Sequence, residues 1–476
     1  MAAATLRAGA ARVDITPAGP VHLSGAVGVH RPAQSVLEPL YARALVLEAG
    51  AARACLVVLD VTIVTEEYSR PLRRAAAEII GCTEAQVIVC ATQTHSAPSL
   101  GHFMLDPDFP ELPAEVEWLR GGDTAYSDWA LGQAVEAVRQ AREELEPVEV
   151  AAGSGIEGRL AFNRRAVGRD GQVFMPGRTW PGPLGPTNLR YMEGPMDPEV
   201  GVIALRAGEK LKALLVHYTC HPVHVFPKQI VSPDWPGALC DELERMYPGA
   251  VPLVLNGACG NINPWPPFEP EYADDHVLMG KQLAAMAGKV VGTMEFAPTA
   301  RVDCRSAIVP LAFRELSAEE TAKAEEMLAR RLTPEWQDEA HVTGDWVVTA
   351  SVASVLLQAR REGKLAYEVQ ALRLGEAAIV ALPGEPFVEG QLAIKIGSPV
   401  YPTVVAHCAT QYVGYIPTAA ALARGGHEVN TRYWAKLRPE ALEEIVAGAL
   451  GLLDGTHPRP SAALRATPPH GGGVTR

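Results

Sequence analysis

The sequence predicts an α/β fold of mixed β-sheets sandwiched by helices. Three observations carry that prediction. First, one pattern recurs three times: Ala44–Asp60 (ALVLEAG…ACLVVLD), Ile203–His221 (IALRAG…ALLVHYTCH) and Val369–Glu385 (VQALRLGEAAIVALPGE). Each is an apolar strand, a turn at Gly50, Gly208 or Gly375, and a second strand, the signature of a hairpin. Second, the later strand of each pair is continuously apolar, which requires burial on both faces. Third, stripes at helical spacing lie between these blocks, as in Leu131, Val135, Val138 and Leu145.

The remaining elements follow in order. Ala11–Thr16 reads as an early strand, Val87–Cys90 as a buried one, and Val251–Leu255 as another. Ser317 with Glu320 forms a capping box ahead of TAKAEEMLARR. Pro386–Ile396 reads as a helix, and Leu442, Ile445, Ala449 and Leu452 mark a last one, ending at Gly455. The Pro- and Gly-rich stretches 102–122, 165–198 and 264–271 are expected to be lids or pocket walls. The expected organisation is one hydrolytic domain over residues 1–455 and a mobile Pro/Gly-rich tail over 456–476.

Of the 476 residues, 48% are hydrophobic and 20% charged, which supports a large core and excludes global disorder. A net charge of −13 argues against nucleic-acid binding and against anchoring on anionic lipid. There is no apolar run of about 18 residues, so no transmembrane segment is expected. The start of the chain lacks a basic n-region followed by an apolar h-region, so no secretory leader is expected. The eight cysteines show no CxxC pair, and reduced thiols in a cytoplasmic protein are expected.

Each buried strand delivers a polar residue: Asp60, His221 and Glu385, with Val87–Cys90 leading into Thr92-Gln93-Thr94-His95. Strands often simply end in polar loops, yet buried strands ending in His or Glu are also a common way to assemble a site. His217, His221 and His224 cluster in HYTCHPVH, and on a strand His217 and His221 would share a face. Glu385 starts a helix, where a carboxylate is stabilised by the free N–H groups or is available to a metal. Gly257–Pro264 is a small-residue turn that allows close approach to a substrate. HExxH is absent, so any metal site must be assembled from distant segments.

Taken together, these segments resemble the N-terminal domain of neutral/alkaline, non-lysosomal ceramidases. The matching pieces are Ala91–Pro98 (ATQTHSAP), Asn163-Arg164, Cys220-His221-Pro222, Asp234–Gly237 (DWPG), Gly257–Pro264, Pro383-Gly384-Glu385 and Tyr415–Thr418 (YIPT), in the family's order over about residues 11–455. The resemblance implies a ceramidase-like fold and a Zn²⁺-dependent hydrolase that cleaves a linear amide. Its metal ligands would include His221, Glu385 and Tyr415. The fourth would come from Gln93 or His95, because the family's Thr-His-Thr-His run reads Thr92-Gln93-Thr94-His95 here. His95, Arg164 and His427 are the implied substrate-facing groups. Asn263 stands where the family has Ser, and His427 where it has a second Tyr. No counterpart of the family's C-terminal Ig-like domain is expected, because the sequence ends soon after the Leu442–Leu453 helix.

The expected mechanism is attack on the amide carbonyl by a metal-activated water, whose pKa falls to about 7. Cys259 or Ser96 would be the covalent rival, but neither lies in a known nucleophile motif. The expected substrate is a small amide or N-acyl compound, not necessarily ceramide, and a homo-oligomer is possible. Arg165, Arg169, Arg178 and Arg190 are candidates for recognising an anion, and Phe174, Trp180 and Tyr191 for an apolar wall. The alternative is a non-catalytic or metal-free binding protein on the same fold, which the Gln93 and Asn263 substitutions favour.

Overall fold

A computed structural model describes residues 5–176, 188–266 and 275–454. The expected tail, most of the 264–271 loop, Arg178 and Trp180 lie outside them. Each of the three predicted hairpins forms. Tyr41–Ala49 pairs antiparallel with Ala52–Leu59, Glu199–Ala207 with Lys210–Tyr218, and Lys364–Leu374 with Ala377–Ala381.

Each hairpin is then extended in the same way. Its second strand is followed by a crossover and a parallel strand: Val87–Ala91, Val251–Asn256 and Thr403–Ala406. Helices Glu66–Ile80, Asp234–Met246 and Val388–Gly397 make the crossovers. Arg7–Asp14, Glu149–Ile156 and Val302–Ala312 add to the other edge of the three hairpins, so every sheet is mixed.

Alternation along the strands divides the core. One set of side chains from all three sheets shares a single apolar cluster, including Leu45, Leu56, Ile88, Leu215, Leu253, Leu372, Ile379 and Val404. The opposite faces are covered by helices. Glu66–Ile80 and Thr124–Glu143 cover the first sheet, Asp234–Met246 and His276–Val291 the second, and Val388–Gly397 and Ala441–Asp454 the third. The helices therefore form the outer layer, while the sheets meet one another inside. This double burial explains why the inner strands read as continuous apolar runs.

Three local expectations need correction. The helix predicted from Leu131 to Leu145 ends at Glu143, and the chain turns at Glu144 into the short strand Glu146–Pro147. The early strand spans Arg7–Asp14 rather than Ala11–Thr16. The stretch 165–198 is not only loop, because Ala166–Gly168 pairs with Val173–Phe174 and Leu189–Met192. The Ser317–Glu320 capping box forms as expected, with Glu320 N–H donating to Ser317 Oγ. All eight cysteines are free, and no helix among the described residues is long and apolar enough to cross a membrane.

Candidate active site at the ends of the inner strands

In each sheet the second hairpin strand and the strand after the crossover run parallel, so their C-terminal ends lie at the same edge. Those ends supply Gln93 and His95, His221, the Gly257–Asn263 turn, Glu385, and the 407–415 segment with Tyr412 and Tyr415. The centre of the cluster is a contact between His221 Nε2 and Glu385 Oε2 at 3.2 Å, with both side chains buried. The other ring nitrogen of His221, Nδ1, lies 3.1 Å from the carbonyl oxygen of Ile262. A carbonyl only accepts, so Nδ1 carries the proton. Nε2 faces the Glu385 carboxylate and donates to it when the ring is charged. Burial, and next the Arg164 charge, lower the His221 pKa, while the contact with Glu385 raises it.

Glu385 is fixed through both oxygens. Tyr412 Oη donates to Oε1 at 2.7 Å while Oε2 faces His221. Burial alone would raise this carboxyl. Its contacts with His221 and Tyr412 and the Arg164 charge outweigh that, and it stays well below the usual carboxylate range. Glu385 is also the parallel strand partner of Tyr415, through the short pair Glu385-Pro386 and Tyr415-Ile416. Burial, then the Glu385 charge, push the Tyr415 phenol above its usual range. Two glycines permit this approach. Gly384 has φ +69°, and a Cβ on Gly260 would lie 2.4 Å from the Glu385 carbonyl oxygen.

Arg164 closes another side. Its Nε donates to Glu428 Oε1 at 2.8 Å, its Nη1 to Asn263 Oδ1 at 3.3 Å, and its guanidinium carbon lies 5.4 Å from the Tyr415 ring centroid. The antiparallel pair Phe162-Asn163 with Ile262-Asn263 sets this register. Arg164 Nη2 is buried without a hydrogen-bond partner among the described residues. His427 places its ring 5.8 Å from that of Tyr415.

Gln93 and His95 do not follow the strand alternation expected of them. The strand stops at Ala91, and Gln93 takes φ +66°, so the rule that residues two apart point the same way no longer applies. Gln93 Oε1 instead accepts from Cys259 Sγ at 3.4 Å, beside His407. The His95 ring lies edge-on to His221 at 5.5 Å, and burial, then the His221 charge, lower its pKa to about 3.

Other sequence candidates are held elsewhere. His217 does not share a site with His221, because the strand ends at Tyr218. The His217 ring lies instead against Gly257, near Gln391. His224 pairs with Asp234 at 2.8 Å, and Asp60 forms a buried ion pair with Arg43 at 2.5 Å. Arg165 binds Glu193 and Glu428, a structural use rather than a free anion site. Tyr191 and Phe174 lie on the small hairpin sheet. Burial pushes the Cys259 thiol well above its usual range, and Ser96 is fully buried, so neither is poised as a nucleophile.

Sequence reading missed Tyr412 and Glu428. Tyr412 stands three residues before Tyr415 in QYVGY, and Glu428 directly follows His427 in GGHE. Each is a polar residue flanking one already singled out, which was the only available signal.

The donor chemistry fits a divalent cation. An imidazole nitrogen opposed to a carboxylate, with a phenol oxygen on the adjacent strand, is a set of nitrogen and oxygen ligands of the kind a divalent cation takes. Among the described residues, however, no three His, Cys, Asp or Glu side chains form a group able to hold a metal ion. The fit therefore depends on the Tyr415 phenol as a further ligand, with the His95 ring 5.5 Å from that of His221.

No protein-family model and no curated protein sequence matches the chain. Solved structures do. The chain superposes on neutral ceramidase from Pseudomonas aeruginosa with a TM-score of 0.68 and 17% identity, covering 96% of this chain and 76% of that one. It superposes on a ceramidase complexed with C2 with a TM-score of 0.68 and 18% identity, covering 96% and 77%. The ceramidase-like fold expected from the sequence is thus borne out.

Proposed function

We propose that this chain, which has the neutral ceramidase fold, is a zinc-dependent hydrolase of a linear amide bond in a small N-acyl substrate. The observation that carries the reading is the buried contact between His221 Nε2 and Glu385 Oε2, with Tyr415 as the strand partner of Glu385. A buried imidazole and carboxylate this close need a positive charge between them, a proton or a metal cation.

His221, Glu385, Tyr415 and His95 would hold the ion, with Gln93 turned toward Cys259. Zinc there would lower the pKa of a held water toward about 7 and polarise the scissile carbonyl. The chain's own groups do the rest. Tyr412 holds Glu385 in one orientation. Arg164 offers its unused Nη2 hydrogens to the developing oxyanion, a donor worth on the order of 3 kcal/mol. Neutral His95 and His427 border the same space and can orient the substrate or the departing amine. Asn263 anchors Arg164 through its amide oxygen, so that position positions the guanidinium rather than supplying a hydroxyl.

The test is hydrolysis of a panel of N-acyl substrates by protein purified without chelator. Release of free acid, abolished by chelation and by His221→Ala or Glu385→Ala, supports the proposal. Full activity in Glu385→Ala would overturn it. A second reading, a metal-free binding protein, is favoured by Gln93 and by the lack of a group of three metal-binding His, Cys, Asp or Glu side chains. Tight binding of an N-acyl compound without turnover or bound metal would support that reading.

A further inference from the structure

Away from the reacting groups, the buried amine of Lys436 lacks a counter-ion among the described residues. Lys436 is 1% exposed, and its Nζ sits 3.8 Å from the centroid of the Tyr433 ring. Among the described residues it has no ion pair. The carboxylates that act on it, Glu362 and Asp106, are already committed: Glu362 accepts from Gln358 and Arg361, and Asp106 is fully buried. Arg361 donates to both of its oxygens, at 2.7 and 2.8 Å, and Tyr433 Oη donates to it at 3.3 Å. Arg361 also binds Asp108.

This cluster lies under a helical hairpin, Ala318–Arg330 and Gly344–Glu362. The hairpin seats on the Tyr433 segment through Ser351 Oγ, which accepts the Tyr433 N–H at 2.6 Å, and through Trp346, Val347 and Ala350, in one core with Tyr415 and Trp434. Its connecting loop binds the segment 25–30, where His30 N–H donates to Ala340 O and Val342 N–H to Gly28 O. Gly25 of that segment packs directly on the His95 ring. The hairpin therefore braces two walls of the candidate site.

We propose that Lys436 is a pH-sensitive latch for this hairpin: uncharged, it lets the hairpin seat on Tyr433, and charged, it loosens the seat and with it the walls at Tyr415 and His95. The groups facing it are Asp106 from the 102–113 loop, Arg361 and Glu362 from the second helix, and Tyr433 from its own segment. Arg314 N–H donates to the Lys436 carbonyl, but the Arg314 guanidinium is turned to Val429 O.

Burial is the largest influence and lowers the amine to about 7; Glu362 and Asp106 oppose it, and Arg361 reinforces it. An opened hairpin restores the amine toward its ordinary value of 10.5. Between those two values the open form binds one more proton than the closed form. The latch therefore tightens as pH rises above 7 and is at its weakest, and flat, below 7.

The test is amide hydrogen exchange in 344–362 at pH 6.5, 7.5 and 8.5, corrected for the intrinsic rate, in wild type and Lys436→Met. Wild-type protection should rise about tenfold from pH 7.5 to 8.5, as one linked proton requires, and the variant should not change. Equal pH dependence in both proteins would overturn the proposal. Should the variant not fold, the Lys436 ¹³Cε resonance of the wild type decides. A midpoint near 7 supports the latch, and one at its ordinary value refutes it.

Discussion

His221 Nε2 and Glu385 Oε2 stand 3.2 Å apart, although 164 residues separate them in the chain. Each follows the inner strand of a different sheet, and each sheet is built on the same hairpin-and-crossover plan. Repetition of that plan, rather than any local motif, brings the two groups together.

Tyr412 is expected to set the orientation of Glu385. Tyr412→Phe removes one hydrogen bond and leaves the ring, which packs edge-on against Phe103 at 5.1 Å. Metal affinity should fall about 10–100-fold, as for other partners of metal ligands, with an unchanged circular dichroism spectrum. Zinc titration against a competing chelator checks this, and an unaltered affinity would mean that the hydrogen bond is incidental.

Arg164→Lys keeps a positive charge but loses the fork that reaches Glu428 and Asn263 together while leaving Nη2 without a partner. The expected effect is a loss of about 10²-fold or more in kcat, as for removal of an oxyanion donor, with KM changed much less. A change confined to KM would assign Arg164 to ground-state binding.

The Arg43–Asp60 pair is expected to be structural. Both side chains are buried, and Asp60 also accepts the Tyr41 N–H at 3.0 Å. Asp60→Ala should cost about 3–5 kcal/mol, because it leaves a buried guanidinium without its counter-charge. Urea unfolding measures this. Metal content per folded chain should not change.

Acid should unfold the protein steeply. His22, His95, His217 and His407 are each lowered from 6.5 to about 3, with burial the largest cause. The unfolded chain binds protons at these positions below pH 6.5, and the folded chain does not until about pH 3. Their contribution to stability is therefore complete above 6.5 and is lost as pH falls toward 3. Four such groups give a slope of roughly 5 kcal/mol per pH unit near pH 5. Denaturation midpoints at pH 6.5, 5.5 and 4.5 test this; constant midpoints would show that the imidazoles are not held neutral.

Much of the fold was legible because burial on both faces leaves a plain mark. The three apolar second strands, their glycine turns and the polar residues after them are local features. Less legible was where each side chain points once its strand has ended. Alternation predicted that Gln93 and His95 would share a direction, but a left-handed residue at Gln93 breaks the pattern. Alternation likewise paired His217 with His221, whereas the strand stops between them. Tyr412 is marked only by its nearness to Tyr415, and Lys436 carries no sequence mark at all, because its significance comes only from what the fold packs around it.

The central claim is that separate stretches of chain share one cation. The most direct measurement is anomalous diffraction at the zinc edge on crystals of protein prepared without chelator. The account predicts one strong peak within about 2.0–2.2 Å of both His221 Nε2 and a Glu385 oxygen, with Tyr415 as a further ligand. An uninterrupted contact between imidazole and carboxylate, with no peak beside it, would contradict the account.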